Sequence, residues 1–279
     1  MSEQTISAYD GQRVTPIYSG KREDFHWVGF GSDTGTNLRE CAKVIKPVLI
    51  FSDKPKAPLL SLKEFDGSVI KKATEKGKQT NTNFCEYIAD FLWAQERHCG
   101  IKFDLIVLGG YMRLIKEPLL EDFPDRIINV HPADLTILTS EGKRKYVGGN
   151  AVYDALKAGE TSTRSSVIIV DLVRDADKKI MADHGEIITM GNSVSIDSKF
   201  AELPEEEKRI QLKSYAKRHQ EEQKRESDWP ALTTALELIA DGRVALGETR
   251  NHFNEWRTVY IKNHRGIFEP MPYGGLEVE

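Results

Sequence analysis

The stretch Asp104-Leu-Ile-Val-Leu-Gly-Gly110 constrains this chain more than any other. Four apolar residues run without alternation between an acid and two glycines. A strand with one wet face alternates, so an unbroken run marks a strand covered on both faces, as inside a parallel sheet. Phe25–Gly31, Pro47–Phe51, Ile127–Val130 and Ser166–Asp171 repeat the pattern, and Ser68–Ile70 is a shorter candidate. Helical segments separate them. Asn37–Lys46 puts Leu38, Cys41, Ala42 and Ile45 on one face. Phe84, Ile88, Phe91, Leu92 and Gln95 follow the same period, with Thr82 as N-cap and Gly100 as stop. Ala151–Gly159 is a third helix. Alternating strands and helices predict an α/β fold with a mostly parallel sheet and helices on both faces.

The remaining chain divides by composition. Residues 1–24 lack a period and read as an irregular N-terminal extension, residues 25–247 as the main domain, and residues 248–279 as a C-terminal arm. In that arm TVYIK, the turn-like NHRG and IFEPMPYGG predict a hairpin or extended segment closing over the core. Lys71–Gln79 reads as a loop and Glu186–Ile196 as a longer strand. Pro204–Arg225 is a charged helix with three acids in its first turn, which suits the helix dipole. Pro230–Asp241 is an apolar-faced helix stopped by Gly242.

Charge excludes some functions. The net charge of −4 over 279 residues does not suit a strongly basic nucleic-acid binder. No apolar run approaches the ~20 residues of a membrane span, and the N-terminus lacks an apolar secretion signal. Cys41, Cys85 and Cys99 are too few and scattered for a disulfide framework or thiolate zinc site, so reduced cytoplasm is the expected compartment. The expected partners are small-molecule substrates, with no nucleic acid and no membrane; a homodimer is compatible with the sequence.

Four segments carry chemistry. The loop Gly29–Leu38 joins a strand to a helix, where backbone N–H groups hold phosphate. It is no Walker loop, since no Lys follows its last glycine. With Gly29, Gly31 and Asp53 it keeps a nicotinamide-binding oxidoreductase open, although Thr34 occupies the third glycine position. Gly109–Ile115 follows the buried strand. Asn129 and His131, two apart in a strand, share a face. There an amide donor and an imidazole could serve an acyl-type transition state. Asp183, two residues before Gly185, could fix the His131 tautomer and favour its charged form, or simply make a turn.

Taken in order, Gly35-Thr36-Asn37-Leu38, DLIVLGGYMRLI, INVHP, Tyr146-Val147-Gly148 with Ala151, and Asp183-His184-Gly185-Glu186-Ile187-Ile188 resemble the folate-dependent formyltransferase family, especially its phosphoribosylglycinamide branch. The resemblance covers roughly residues 25–245. It implies a Rossmann-like fold and formyl transfer from 10-formyltetrahydrofolate to the amine of a phosphorylated acceptor, in purine biosynthesis. It implies catalytic roles for Asn129, His131 and Asp183, a substrate-phosphate loop at Gly35, Thr36 and Asn37, and folate contacts at Met112, Arg113, Leu114, Ile115 and Asn129, with no metal. An amino-sugar formyltransferase and a non-catalytic nucleotide-binding protein are the other readings.

The chain also departs from that pattern. Where the family places a Glu ahead of an aromatic-Pro step, this chain has Arg225. Glu226 and Asp228 are the neighbouring acids that a shift of helix register could bring into the same role. Ile168 replaces a usual histidine, and Asn81, with Lys78 nearby, stands where a basic residue is expected. The segments after His131 and before Asp183 are both longer than usual. The basic stretch Gly142-Lys143-Arg144-Lys145 reads either as solvated charge or as a complement to extra negative charge on the acceptor.

Overall fold

The apolar runs become neighbouring strands of one sheet. The computed structural model describes residues 5–72, 81–171, 183–250 and 256–278. Its strands are β1 (Ile6–Ser7), β2 (Arg13–Pro16), β3 (Trp27–Phe30), β4 (Leu49–Ser52), β5 (Val69–Lys72), β6 (Leu105–Leu108), β7 (Ile127–His131), β8 (Ser162–Thr163), β9 (Ser166–Ile169), β10 (Ile187–Met190), β11 (Val194–Ser195), β12 (Val244–Arg250), β13 (Arg257–Lys262), β14 (Phe268–Pro270) and β15 (Leu276–Glu277). Its helices are α1 (Thr36–Val44), α2 (Asn81–Cys99), α3 (Leu119–Asp122), α4 (Ala151–Lys157), α5 (Ser198–Ala201), α6 (Glu205–Gln223) and α7 (Trp229–Ala240).

Among the described residues the main sheet runs β15-β10-β9-β7-β6-β3-β4-β5. Strands β3 to β7 of this sheet are mutually parallel where they pair. Strands β3, β4 and β6 are buried throughout, as their unbroken apolar runs require. Alternate residues feed opposite faces. Trp27, Ile50, Leu105 and Val107 pack with Leu38 and Cys41 of α1 and with Leu232, Leu236 and Ile239 of α7. Val28, Phe30, Phe51 and Ile106 pack with Phe84, Ile88 and Leu92 of α2 on the other face. Burying each such side chain contributes ~1.5–3 kcal/mol, so the two layers fix the α/β arrangement.

Direction and partnership depart from the sequence expectation at several points. β9 looks like the parallel strands but pairs antiparallel with both β7 and β10. An apolar run buries equally well in either direction, so its composition carries no sign. The N-terminal segment, expected to be irregular, contributes β1 and β2, with Val14 fully buried. β2 pairs with β12, giving a second sheet β1-β2-β12-β13-β14. The C-terminal arm forms the expected hairpin, turning at Asn263–Gly266, where Gly266 has φ +77°. Its Val259 and Ile261 join the core, and β15 then extends the main sheet beside β10. The strand expected over Glu186–Ile196 breaks after Met190 because Gly191 lies against Ser227; a Cβ there would meet the Ser227 carbonyl oxygen at 2.3 Å. Helix α2 starts at Asn81, so Thr82 lies inside its first turn. Of the expected loop Lys71–Gln79, Lys71 and Lys72 instead end β5, paired with Phe51 and Ser52 of β4; the rest, including Lys78, and the inserted residues 173–182 lie outside the described residues. No described helix is long and apolar enough to cross a membrane.

One ion cluster ties the second sheet to the first. Arg257 of β13 donates Nε to Glu186 at 2.8 Å and Nη1 to Asp125 at 2.8 Å. Glu186 is only 3% exposed. Burial alone would raise its pKa, but the hydrogen bonds and charge of Arg257 outweigh burial and hold it below the ordinary value. A depressed folded value means stabilisation that is whole above the unfolded pKa of about 4.3 and lost as pH falls through the folded value. Glu186→Ala should cost ~1.5–3 kcal/mol, the scale of losing a charged hydrogen bond, because Arg257 keeps Asp125. An unchanged urea midpoint would show that the cluster does not join the sheets.

Candidate active site

Around β3 the chain order reverses: β4 and β5 lie on one side, β6 and β7 on the other. In such sheets a crevice opens at the carboxyl ends of the strands at that point. Here it is a cleft of about 320 Å³. Asn129 and His131 reach it from the end of β7, on the same face as their spacing requires. Asp183 joins them. Its Oδ2 lies 3.4 Å from His131 Nδ1 and its Oδ1 lies 3.5 Å from Asn129 Nδ2. His131 is 4% exposed, and its Nε2 donates to the Tyr146 carbonyl at 2.8 Å. Both ring nitrogens therefore face acceptors. The Gly148 N–H donates to Asp183 Oδ2 at 2.8 Å, fixing the carboxylate from the other side.

The loop after β6 supplies one wall. Met112, Arg113, Leu114 and Ile115 all line the cleft, together with Leu108, Ile168 and Val170. Arg113 lies over the Phe84 ring at 3.8 Å. Of the expected phosphate loop, Asn37 lines the cleft, whereas Gly35 and Thr36 stand beside it at the start of α1. Gly35 has φ +68°, and a Cβ there would lie 2.5 Å from Leu59 Cβ, so the turn demands glycine. Asn37 donates Nδ2 to Asp228 Oδ2 at 3.3 Å, and its buried Oδ1 has no partner among the described residues.

Asp228, Lys224 and Gln220 also line the cleft. None of them is among the site residues expected from the sequence, although Asp228 is one of the two acids that a register shift could bring in. The resemblance places Arg225 at the position of the family's acceptor-binding Glu. Instead Lys224–Asp228 forms a π-helical turn between α6 and α7. Pro230 lacks an N–H for the carbonyl four residues back, and a wide turn absorbs such a gap. The extra width leaves Arg225 and Glu226 exposed and buries Asp228. Pro230 within an otherwise helical run is the signal that the sequence offers for this shift.

Asp228 ends a buried chain of hydrogen bonds. Ser165 Oγ donates to Asp228 Oδ1 at 2.5 Å, and Gln223 Nε2 donates to Ser165 Oγ at 2.9 Å. Thr163 Oγ1 donates to Gln223 Oε1, so His219 Nε2, 2.7 Å from Thr163 Oγ1, must be the protonated nitrogen. Burial raises the Asp228 pKa against the opposing effect of its Ser165 and Asn37 bonds. Burial lowers that of His219, favouring its neutral form.

The nicotinamide reading loses its support. The Asp53 carboxylate accepts from Ser32 Oγ at 2.6 Å. The space beside Gly29 and Gly31 is taken by Ile50, Leu38 and Leu59 of the core. Among the described residues, no group of three His, Cys, Asp or Glu is placed to hold a metal ion.

A family model described as formyl transferase matches residues 28–211. The phosphoribosylglycinamide formyltransferase of Bacillus subtilis is 28% identical over 149 residues, covering 51% of this chain and 69% of that protein. That of Haemophilus influenzae is 29% identical over 96 residues, covering 34% of this chain and only 39% of that protein. The solved phosphoribosylglycinamide formyltransferase of Coxiella burnetii superposes with a TM-score of 0.62 at 22% identity, covering 91% of this chain and 99% of that one. At that identity the superposition shows the shared fold.

Proposed function

We propose, for a chain that belongs to the formyl transferase family, that it moves a formyl group from 10-formyltetrahydrofolate to the amine of a phosphorylated acceptor. Phosphoribosylglycinamide is the acceptor we favour, because the relatives are named for it. The observation that carries this reading is the convergence of Asn129, His131 and Asp183 on one cleft with the Met112–Ile115 wall. That wall, with Leu108, Ile168 and Val170, is an apolar surface suited to a flat heterocycle. When bound, the folate supplies the formyl group.

The chain's own residues do the rest. Asn129 Nδ2 offers its second N–H to negative charge developing on the formyl oxygen, and His131 Nε2 joins it by exchanging the Tyr146 carbonyl for that oxygen. Asp183 orients His131 from its Nδ1 side. His131 then relays the proton that the attacking amine loses to the departing folate nitrogen, directly or through water. The Asn37 end of the cleft is proposed to take the acceptor's phosphate with the N-terminus of α1. This activity would place the enzyme in the cytoplasm, with small molecules as partners.

The test is a formyl-transfer assay with 10-formyltetrahydrofolate against phosphoribosylglycinamide and a panel of amines, including amino sugars. Turnover of phosphoribosylglycinamide is expected; no transfer to any amine would overturn the reading. The acceptor side makes a sharper prediction. Asp228→Asn should raise the acceptor KM ~10-fold or more, as loss of a charged hydrogen bond implies, whereas the exposed Arg225→Glu should leave it within about twofold. Because burial raises the Asp228 pKa, acceptor kcat/KM should fall as pH drops through a value above the ordinary aspartate range. Asp228→Asn should abolish that limb. The opposite ranking of the two variants would return Arg225 to the site.

A further inference from the structure

The Asp183–Gly185 segment is held by groups from two distant parts of the chain. Arg144, in the long segment after His131, is 8% exposed despite its basic neighbours. It donates Nη1 to the Asp183 carbonyl at 2.5 Å and Nη2 to the Gly185 carbonyl at 2.8 Å. Trp256 Nε1, from the C-terminal arm, donates to the His184 carbonyl between them. Three successive carbonyls are thus occupied. The Arg144 guanidinium lies 4.7 Å from the Trp256 ring centroid, and its Nε donates to the Tyr273 hydroxyl at 3.0 Å. From the same stretch as Arg144, Tyr146 and Gly148 bond His131 and the Asp183 carboxylate.

We propose that Arg144, backed by Trp256 and Tyr273, is a positioning residue that sets the Asp183 backbone so that its carboxylate meets His131 and Asn129. The proposal rests on the formyl-transfer reading and gives the inserted loop and the C-terminal arm one task. Arg144 does not line the cleft, so it acts through Asp183 and not on substrate. Asp183 has φ +54°, an uncommon conformation for a residue with a Cβ although Asp tolerates it better than most, so its surroundings help to set it. A planar fork with parallel donors satisfies the carbonyls on either side of His184 at once; an ammonium on a flexible stem has no such geometry. The basic stretch at residues 142–145 therefore contains one buried structural cation between exposed charges, and Arg144 is not an acceptor-binding group.

Arg144→Lys keeps the charge and most of the stem, and Arg144→Met keeps the volume alone. Both are made in the full chain, with and without Asp183→Asn. Arg144→Lys should lower kcat ~10–100-fold, the scale of a small misplacement of a reacting group, leave the acceptor KM within about threefold, and shift the pH–rate profile. In the Asp183→Asn background the same change should cost less than about twofold, because residues acting as a unit are not additive. An undiminished loss in that background, or a normal kcat and pH profile in Arg144→Lys, would overturn the proposal. If Arg144→Met does not fold, the lysine variant alone decides between these outcomes. Amide hydrogen exchange at residues 183–186 separates the clamp from the chemistry. Faster exchange in Arg144→Lys supports the clamp even if wild type transfers no formyl group, and unchanged exchange rejects it even if wild type does.

Discussion

His131→Ala is expected to lower kcat at least ~10²-fold, the low end for a positioned general acid-base, while the protein remains folded. His131 is buried, but its imidazole lies at the cleft and not in either apolar layer, so removing it strips function more than packing. Asn129→Ala should cost ~10²–10³-fold, as for one donor to a developing oxyanion. The double variant should be little worse than the more damaged single one, since the two donors serve the same charge. Single-turnover formyl transfer under saturating substrates reads the effect, with circular dichroism to verify the fold. Near-normal turnover by His131→Ala would remove His131 from the chemistry and, with it, the proposed mechanism.

Gly185→Ala is expected to destabilise the fold severely. An added Cβ would lie 1.6 Å from the Ile169 carbonyl oxygen and 2.6 Å from its carbon. Both atoms are backbone at the end of β9, which is hydrogen-bonded to β7 on one side and β10 on the other. A flexible side chain could yield; a central strand cannot without breaking its ladder. The cost should exceed ~4 kcal/mol, the range reserved for severe backbone or core conflicts, against a total stability of about 5–15 kcal/mol. That corresponds to a melting temperature lower by ~8 °C or more for a domain of this size. Gly149→Ala is the control, because its Cβ would meet nothing within 4 Å; its stability should stay within ~0.5 kcal/mol. A wild-type melting curve for Gly185→Ala would mean that β9 can move away. The close approach explains why the segment after Asp183 needs glycine. A side chain at 185 would push the segment that carries Asp183 off the end of β9.

Residues that could be read from the sequence share a local cause. Leu105–Leu108 is apolar at every position because both faces of β6 are covered, and that requirement is written position by position. Asn129 and His131 share a face because a strand has period two. Met112–Ile115 borders the cleft because it follows the carboxyl end of a central strand. Each inference uses only neighbours in the chain. The features that needed the tertiary structure depend on partners far away. β2 is a strand because β12 offers it an edge, pairing Thr15 with Leu246. β9 takes its direction from β7, while its own residues suit either direction equally. Asp228 reaches Asn37 across 191 residues, and only after a π-helical turn has shifted the helix register that put Arg225 in its place. Arg144 reaches Tyr273 across 129 residues, and its basic neighbours in sequence disguise its burial. Periodicity reports whether a residue is covered and which way it points. It does not report what covers it, because strand direction, register shifts and hydrogen-bond partners are settled by the free energy of contacts between segments that the chain itself keeps apart.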